Sequence, residues 1–197
     1  MDGIFCRKLV AITAPSGAGI TTLVRELLKT GGFYLITSYT TREPRPSDIP
    51  GEYNHLTAKE FDQLTIDDSF AWSVNVHGKR YGTLKSSLND ISVGKEERIA
   101  LLIVTPVIAF QLAVTAPFQI FRTINIFIIP PDETKLRRRL TLRGSNKEEL
   151  ERRVADCKTW TKEALELGIY IFIQNTGTKD DLRKNFLSEL NHQSLLL

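Results

Sequence analysis

Apolar positions in this chain fall into short continuous runs that alternate with stretches of helical period. The run "KLVAIT" (8–13) is too short for a buried helix and reads as a buried strand. It is followed by "TTLVRELL", where Leu23, Val24, Leu27 and Leu28 share one helical face. Gly31 and Gly32 end that helix, and "GGFYLITS" reads as a second strand. From Tyr39 to about Asn89 the segments become short and rich in turns. "TAKEFDQL" opens there with a capping box, Thr57 with Glu60. "FAWSVNVHGKRYG" reads as a strand that turns back at His77-Gly78. The long rhythm resumes with the apolar strands "RIALLIVT" and "TINIFIIPP". Then come the helix "DETKLRRRLTLRG", acidic at its start and basic at its end, and the long charged helix "NKEELERRVADCKTWTKEALELG". A last strand, "IYIFIQN", and a last helix, "KDDLRKNFLSEL", complete the pattern. Five buried strands alternating with helices predict an α/β fold, with a parallel sheet covered on both faces. The turn-rich middle predicts a small inserted lobe.

Composition narrows the class. At 197 residues, 42% hydrophobic and 25% charged, the chain has the length and make-up of one globular domain. It carries no apolar run of membrane-spanning length, and "MDGIFCRKLV" lacks the pattern of a secretory signal. Cys6 and Cys157 have neither metal nor redox spacing, which leads to the expectation of two reduced thiols in a cytoplasmic protein. The net charge of +3 is small, but arginine and lysine gather in "TTREPRP", "HGKRYG" and "KLRRRLTLRG". Such clusters suit nucleic acid, a solvated face, or the phosphates of a small ligand. His55, His77 and His192 have no partners at metal-ligand spacing.

The stretch "TAPSGAGITT" (13–22) favours the last of these. It sits between a strand and a helix, where glycines let backbone N–H groups converge on phosphate oxygens and the helix N-terminus adds positive charge. Ser16, Gly17, Ala18 and Gly19 form the bend, Thr21 holds the position of the magnesium ligand, and Thr22 stands beside it. The loop departs from the phosphate-loop pattern at two places: Ala14 replaces its first glycine, and Ile20 stands where its lysine reaches the β- and γ-phosphates.

"APSGAG", "TSYTTREPRP", "PGEYNHL", "VHGKRYGT" and "RRRLTLRG" occur in order and at the right separations over nearly the whole chain. The set resembles guanylate kinase. The resemblance implies a P-loop kinase with a three-layer core (1–38 and 90–197), a GMP-binding lobe (about 39–89) and a helical lid (about 139–155). It implies phosphoryl transfer from ATP to GMP with Mg2+. ATP, GMP and GDP are the expected partners, with no nucleic acid or membrane, in a monomer or homodimer.

Residue by residue, the resemblance gives Arg42, Arg45, Tyr81 and Tyr53 to the GMP phosphate, with the register uncertain by one residue at Tyr53. Ser38 and Thr83 go to the guanine edge, and Asp48 matches another acid of the lobe. Arg139 and Arg143 resemble the lid arginines on ATP and the transferring group. Arg152 or Arg153 resembles an arginine that closes over both substrates, with Arg152 taken as the catalytic one beside Thr21. Asn175 resembles a residue near the adenine, while Arg137 and Arg138 are expected to face water. Two further departures stand out. The segment with the family's guanine-reading carboxylate has no acid: Trp72 falls at that position, with Asn75 nearby. The strand "RIALLIVT" has Ile103 and Thr105 where aspartates are usual. Three readings follow: a guanylate kinase slowed by loss of its lysine, a binding module for a nucleotide or phosphopeptide, or a kinase for another substrate such as a sugar phosphate.

Overall fold

The computed structural model describes residues 8–92, 97–114 and 122–193, so Cys6 lies outside the described residues. The first strand, β1 (Lys8–Thr13), is central. Its residues alternate between two cores, as the period of a strand requires. Val10 and Ile12 pack against Leu23, Val24 and Leu27 of α1 (Ile20–Leu28) and against Leu182, Phe186 and Leu190 of α7 (Lys179–His192). Leu9 and Ala11 face Leu88 and Ile91 of α3 (Lys85–Ser92) and Ile108, Ala109 and Leu112 of α4 (Pro106–Val114).

Around β1 runs a five-stranded parallel sheet. Its order is β2 (Phe33–Leu35), β7 (Ile99–Ile103), β1, β8 (Arg122–Ile129) and β9 (Tyr170–Gln174). The chain crosses to one side after β1 and to the other after β7, so β1 and β7 frame the switch point. Ligands bind at the carboxyl ends of strands there.

"GGFYLITS" is not one strand. Phe33–Leu35 belongs to the large sheet, while Ser38–Thr40 is β3 of a second, four-stranded sheet. That sheet runs β4 (Tyr53–His55), β3, β6 (Lys79–Leu84), β5 (Phe70–Val76). The β5–β6 hairpin turns at His77 and Gly78, both at positive φ (50° and 73°), as a two-residue hairpin turn demands. Helix α2 (Ala58–Ile66) begins at the capping box of Thr57 and Glu60. Gly82 of β6 gives room to the Phe70 ring: an added Cβ would meet its Cδ1 at 2.7 Å and the Trp72 carbonyl at 3.0 Å. Gly82→Ala is expected to lower stability by about 1–3 kcal/mol in urea unfolding, because this close packing leaves nowhere for the methyl to go.

The segment expected to form the lid, about 139–155, falls within a helix pair, α5 (Glu133–Leu142) and α6 (Lys147–Leu167), closed by Leu136, Leu140 and Val154 with Leu150 and Cys157 against them. Arg137 lies at the surface, as expected, and is ion-paired there. It bonds Glu133 within α5 and both carboxylate oxygens of Glu151 on α6, at 2.6 and 2.9 Å. Arg138 is exposed. On α6, Glu149, Arg153, Asp156 and Trp160 are spaced i, i+4, i+7, i+11, which makes one stripe. The stripe turns toward the lobe: His77 Nε2 and Asp156 Oδ2 are 2.8 Å apart.

Candidate nucleotide site

A cavity of about 600 Å³ opens where the carboxyl ends of β1 and β7, the four-stranded sheet and α6 converge. Its floor is the loop after β1. Gly17 and Gly19 adopt φ of 90° and 100°, closed to side chains without strain. Close packing also requires them. A Cβ on Gly17 would come to 2.6 Å from Leu136 Cδ1, and one on Gly19 to 2.5 Å from Asn175 Nδ2. Asn175 is buried and donates to the Ala18 carbonyl at 2.6 Å. It therefore buttresses the loop from behind, outside the residues that line the cavity. Gly19 is the N-cap of α1 and offers no side-chain cap, so the first N–H groups of that helix are not closed off by a side chain. Ser16, Gly17, Gly19, Ile20 and Thr21 line the cavity, whereas Ala18 is fully buried and Thr22 points out to solvent. Ile20 also packs on the core cluster beneath α1.

The opposite wall is built for an anion. Arg42 is only 7% exposed, and its Nη2 donates to Asp48 Oδ1 at 2.9 Å. Asp48 Oδ2 accepts from the Arg45 backbone N–H at 2.8 Å. The Arg42 guanidinium lies 5.1 Å from the Tyr53 ring centroid, and Tyr53 meets Tyr81 edge-on at 6.0 Å. Burial opposes the charge on Arg42, but Asp48 wins and raises its pKa. Burial, ahead of nearby Glu52, pushes the Tyr53 hydroxyl well up, so it stays a protonated donor. Arg42, Arg45, Asp48, Tyr53 and Tyr81 all line the cavity, and Asn54 beside Tyr53 is exposed. Glu52 is a further cavity residue that the sequence reading passed over, its pKa raised by burial. Ser38 lines the cavity and shares a hydrogen bond of 3.2 Å with Thr83, which lies behind it.

The lid brings cations onto the loop. Arg139 Nη1 donates to the Gly17 carbonyl at 3.3 Å. Arg153 Nη1 donates to Ser16 Oγ at 2.8 Å, with Nη2 on Glu149 at 2.6 Å. Arg143 stands at the cavity rim. Desolvation there, then the charges of Arg153 and Arg139, depress its pKa. Three guanidinium groups crowding one loop create a demand for an anion. Arg152 is exposed and does not line the cavity; Arg153, one position on, does. One residue on a helix is a turn of 100° about its axis, which the sequence spacing did not resolve. Trp160 of the same stripe also lines the cavity, and nothing in its sequence context had marked it.

The glycine loop after β1, the Arg42–Tyr53–Tyr81 cluster, and Arg143 and Arg153 from the α5–α6 segment thus line one volume. A family model described as guanylate kinase matches residues 6–191. The chain belongs to the guanylate kinase family. The guanylate kinase of Dechloromonas aromatica is 36% identical, over 89% of this chain and 86% of its own length. That of Chlamydia abortus is 31% identical over 91% and 83%. The crystal structure of guanylate kinase from Anaplasma phagocytophilum shares the fold, with a TM-score of 0.63 at 21% identity, covering 94% of this chain and 85% of that one.

Within the guanylate kinase frame, three features of this chain differ from the expected chemistry. Ile20 leaves the loop without its lysine. Lys8 lies at the far end of β1, and Arg25 donates to the Ser47 and Asp48 carbonyls at 3.1 and 3.0 Å, so neither fills the gap. Asn75 does not line the cavity: its Oδ1 accepts from Gly78 N–H at 2.9 Å in the hairpin turn. For magnesium, Thr21 is the hydroxyl at the loop, and the cavity-lining carboxylates that are ion-paired, Asp48 and Glu149, hold arginines. Among the described residues no cluster of three His, Cys, Asp or Glu could hold a metal. The donor set fits an ion carried in on nucleotide phosphates, with Thr21 as its protein ligand, since Mg2+ binds in that manner with few protein groups.

Proposed function

We propose that this chain transfers a phosphoryl group from ATP to GMP, with the electrostatic work shifted from the loop to the lid. The observation that carries this reading is the single cavity shared by the loop and the Arg42–Asp48–Tyr53–Tyr81 cluster. The monophosphate sits on Arg42 and Arg45, whose planar forks donate two bonds at once, while Tyr53 and Tyr81 donate from their hydroxyls. The triphosphate lies on the N–H groups of residues 16–21 at the head of α1. Magnesium, bound with ATP, neutralises phosphate charge.

Charge develops on the transferring oxygens, and preorganised cations meet it. Arg153 reaches the loop at Ser16, and Arg139 at Gly17. With no lysine between them, these and Arg143 carry the load. The lid thereby becomes indispensable: a lysine is fixed to the loop, whereas these arginines arrive on α5 and α6. Arg153→Ala is expected to lower turnover about a hundredfold. Adding Ile20→Lys to that variant is expected to recover most of the loss.

The test of the whole reading is coupled turnover of GMP with ATP and magnesium. Formation of GDP supports it. Binding of GMP with no turnover, in this chain and in Ile20→Lys, would instead assign the site to phosphomonoester binding.

A further inference from the structure

One wall of the cavity is apolar. Trp72, Val74 and Val76 of β5 line it at a period of two, and Ile103 and Val104 close it from the end of β7. Trp72 is 7% exposed and packs into the core cluster with Leu102 and Val104, so its ring is fixed. The polar groups near this wall are hydroxyls, Ser38 and Thr105. Three carboxylates line the cavity, and each is already engaged. Asp48 serves Arg42 and the Arg45 N–H, and Glu149 serves Arg153. Glu52 accepts from the Ile49 N–H at 3.0 Å.

We infer that this wall does not select for the 2-amino group of guanine, so that the chain accepts 6-oxopurine nucleoside monophosphates as a class. The inference rests on the cavity being a nucleoside monophosphate site, as proposed above. Guanine and hypoxanthine share the ring N1–H and the 6-oxo group, which a serine or threonine hydroxyl can serve as acceptor or donor. They differ in the exocyclic amino group. That group needs an acceptor, and the side chains of Trp72, Val74 and Ile103 offer none. A site that hydrogen-bonds a group rejects the analogue lacking it by several orders of magnitude, whereas an apolar wall discriminates weakly. Here the amino group leaves water and gains nothing, so its removal costs nothing.

The measurement is titration calorimetry of the whole chain with GMP, IMP and ribose 5-phosphate. IMP is expected to bind within tenfold of GMP, or more tightly. Ribose 5-phosphate is expected to bind more weakly than either and to compete with both. Trp72→Glu is expected to raise the GMP-to-IMP affinity ratio at least tenfold by supplying the missing acceptor. If that variant does not fold, Val74→Glu on the same face makes the same test. A tenfold or greater preference of the unmodified chain for GMP overturns the inference while leaving the monophosphate site intact. A ratio that stays unchanged with a carboxylate in the wall overturns it too, by placing the base elsewhere. Failure of all three ligands to bind overturns the proposed function and this inference together.

Discussion

Ile20→Lys is expected to raise GMP phosphorylation by about a hundred- to a thousandfold, the usual value of one preorganised donor at a developing anion. The geometry favours the substitution. Ile20 is the first residue of α1, lines the cavity and rests partly on the core beneath it. A lysine stem can take over that apolar packing while its ammonium extends into the cavity. The new charge meets Arg143, Arg139 and Arg153 across the loop and would be repelled in the absence of nucleotide. The gain therefore concentrates on ATP: its KM falls and kcat rises, while GMP affinity stays within about twofold. Steady-state kinetics with each substrate varied in turn reads all three. A rise in kcat with ATP binding unchanged would mean that isoleucine obstructs the transition state and not the ground state. No change in any parameter would mean that the lid cations already supply the whole requirement.

Arg42→Ala is expected to weaken GMP binding by more than a hundredfold and ATP binding by less than threefold. Arg42 is buried, paired with Asp48 and held 5.1 Å from the Tyr53 ring centroid. Its removal deletes the fork that holds the phosphate. It also leaves the Asp48 carboxylate facing the incoming dianion, so repulsion replaces attraction. Taking one partner from a buried pair also costs the fold, by about 3–5 kcal/mol. Binding must be measured well below the lowered melting temperature for that reason. Arg42→Ala/Asp48→Asn removes the stranded charge: stability should return in large part, and GMP affinity should not. Equal losses of GMP and ATP affinity would place the monophosphate elsewhere.

These two experiments probe opposite ends of one enclosure, and the contrast explains how a chain without the loop lysine keeps so many arginines. On the proposed reading, Arg42 and Arg45 hold the phosphate of the acceptor, whereas Arg139, Arg143 and Arg153 meet the charge of the transferring group.

Much of this architecture was legible along the chain because its signals are local. The alternation of strands and helices, the capping box at Thr57 and the hairpin turn at His77-Gly78 depend on a few neighbouring residues. The family resemblance carried by "TTREPRP" and "HGKRYGT" marked Arg42, Arg45 and Tyr81, which line one cavity. What the chain pattern missed was decided by packing. Helix α4 is apolar nearly all round, so it carries no helical period to detect. "GGFYLITS" reads as one apolar stretch. Its break into two sheets is set by partners far away: Ile99–Leu101 for Phe33–Leu35, and Tyr81 and Gly82 for Tyr39 and Thr40. The choice of Arg153 over Arg152 rests on a rotation of α6 fixed by Val154 in the lid core and by Asp156 at the hairpin tip. The sequence by itself determined the order of the elements and the kinds of group brought to the site. Only the tertiary structure decided which of those groups meet, because the contacts that join α5, α6 and the loop after β1, such as Arg153 with Ser16 and Arg139 with Gly17, span more than a hundred positions and are set by packing rather than by neighbours in the chain.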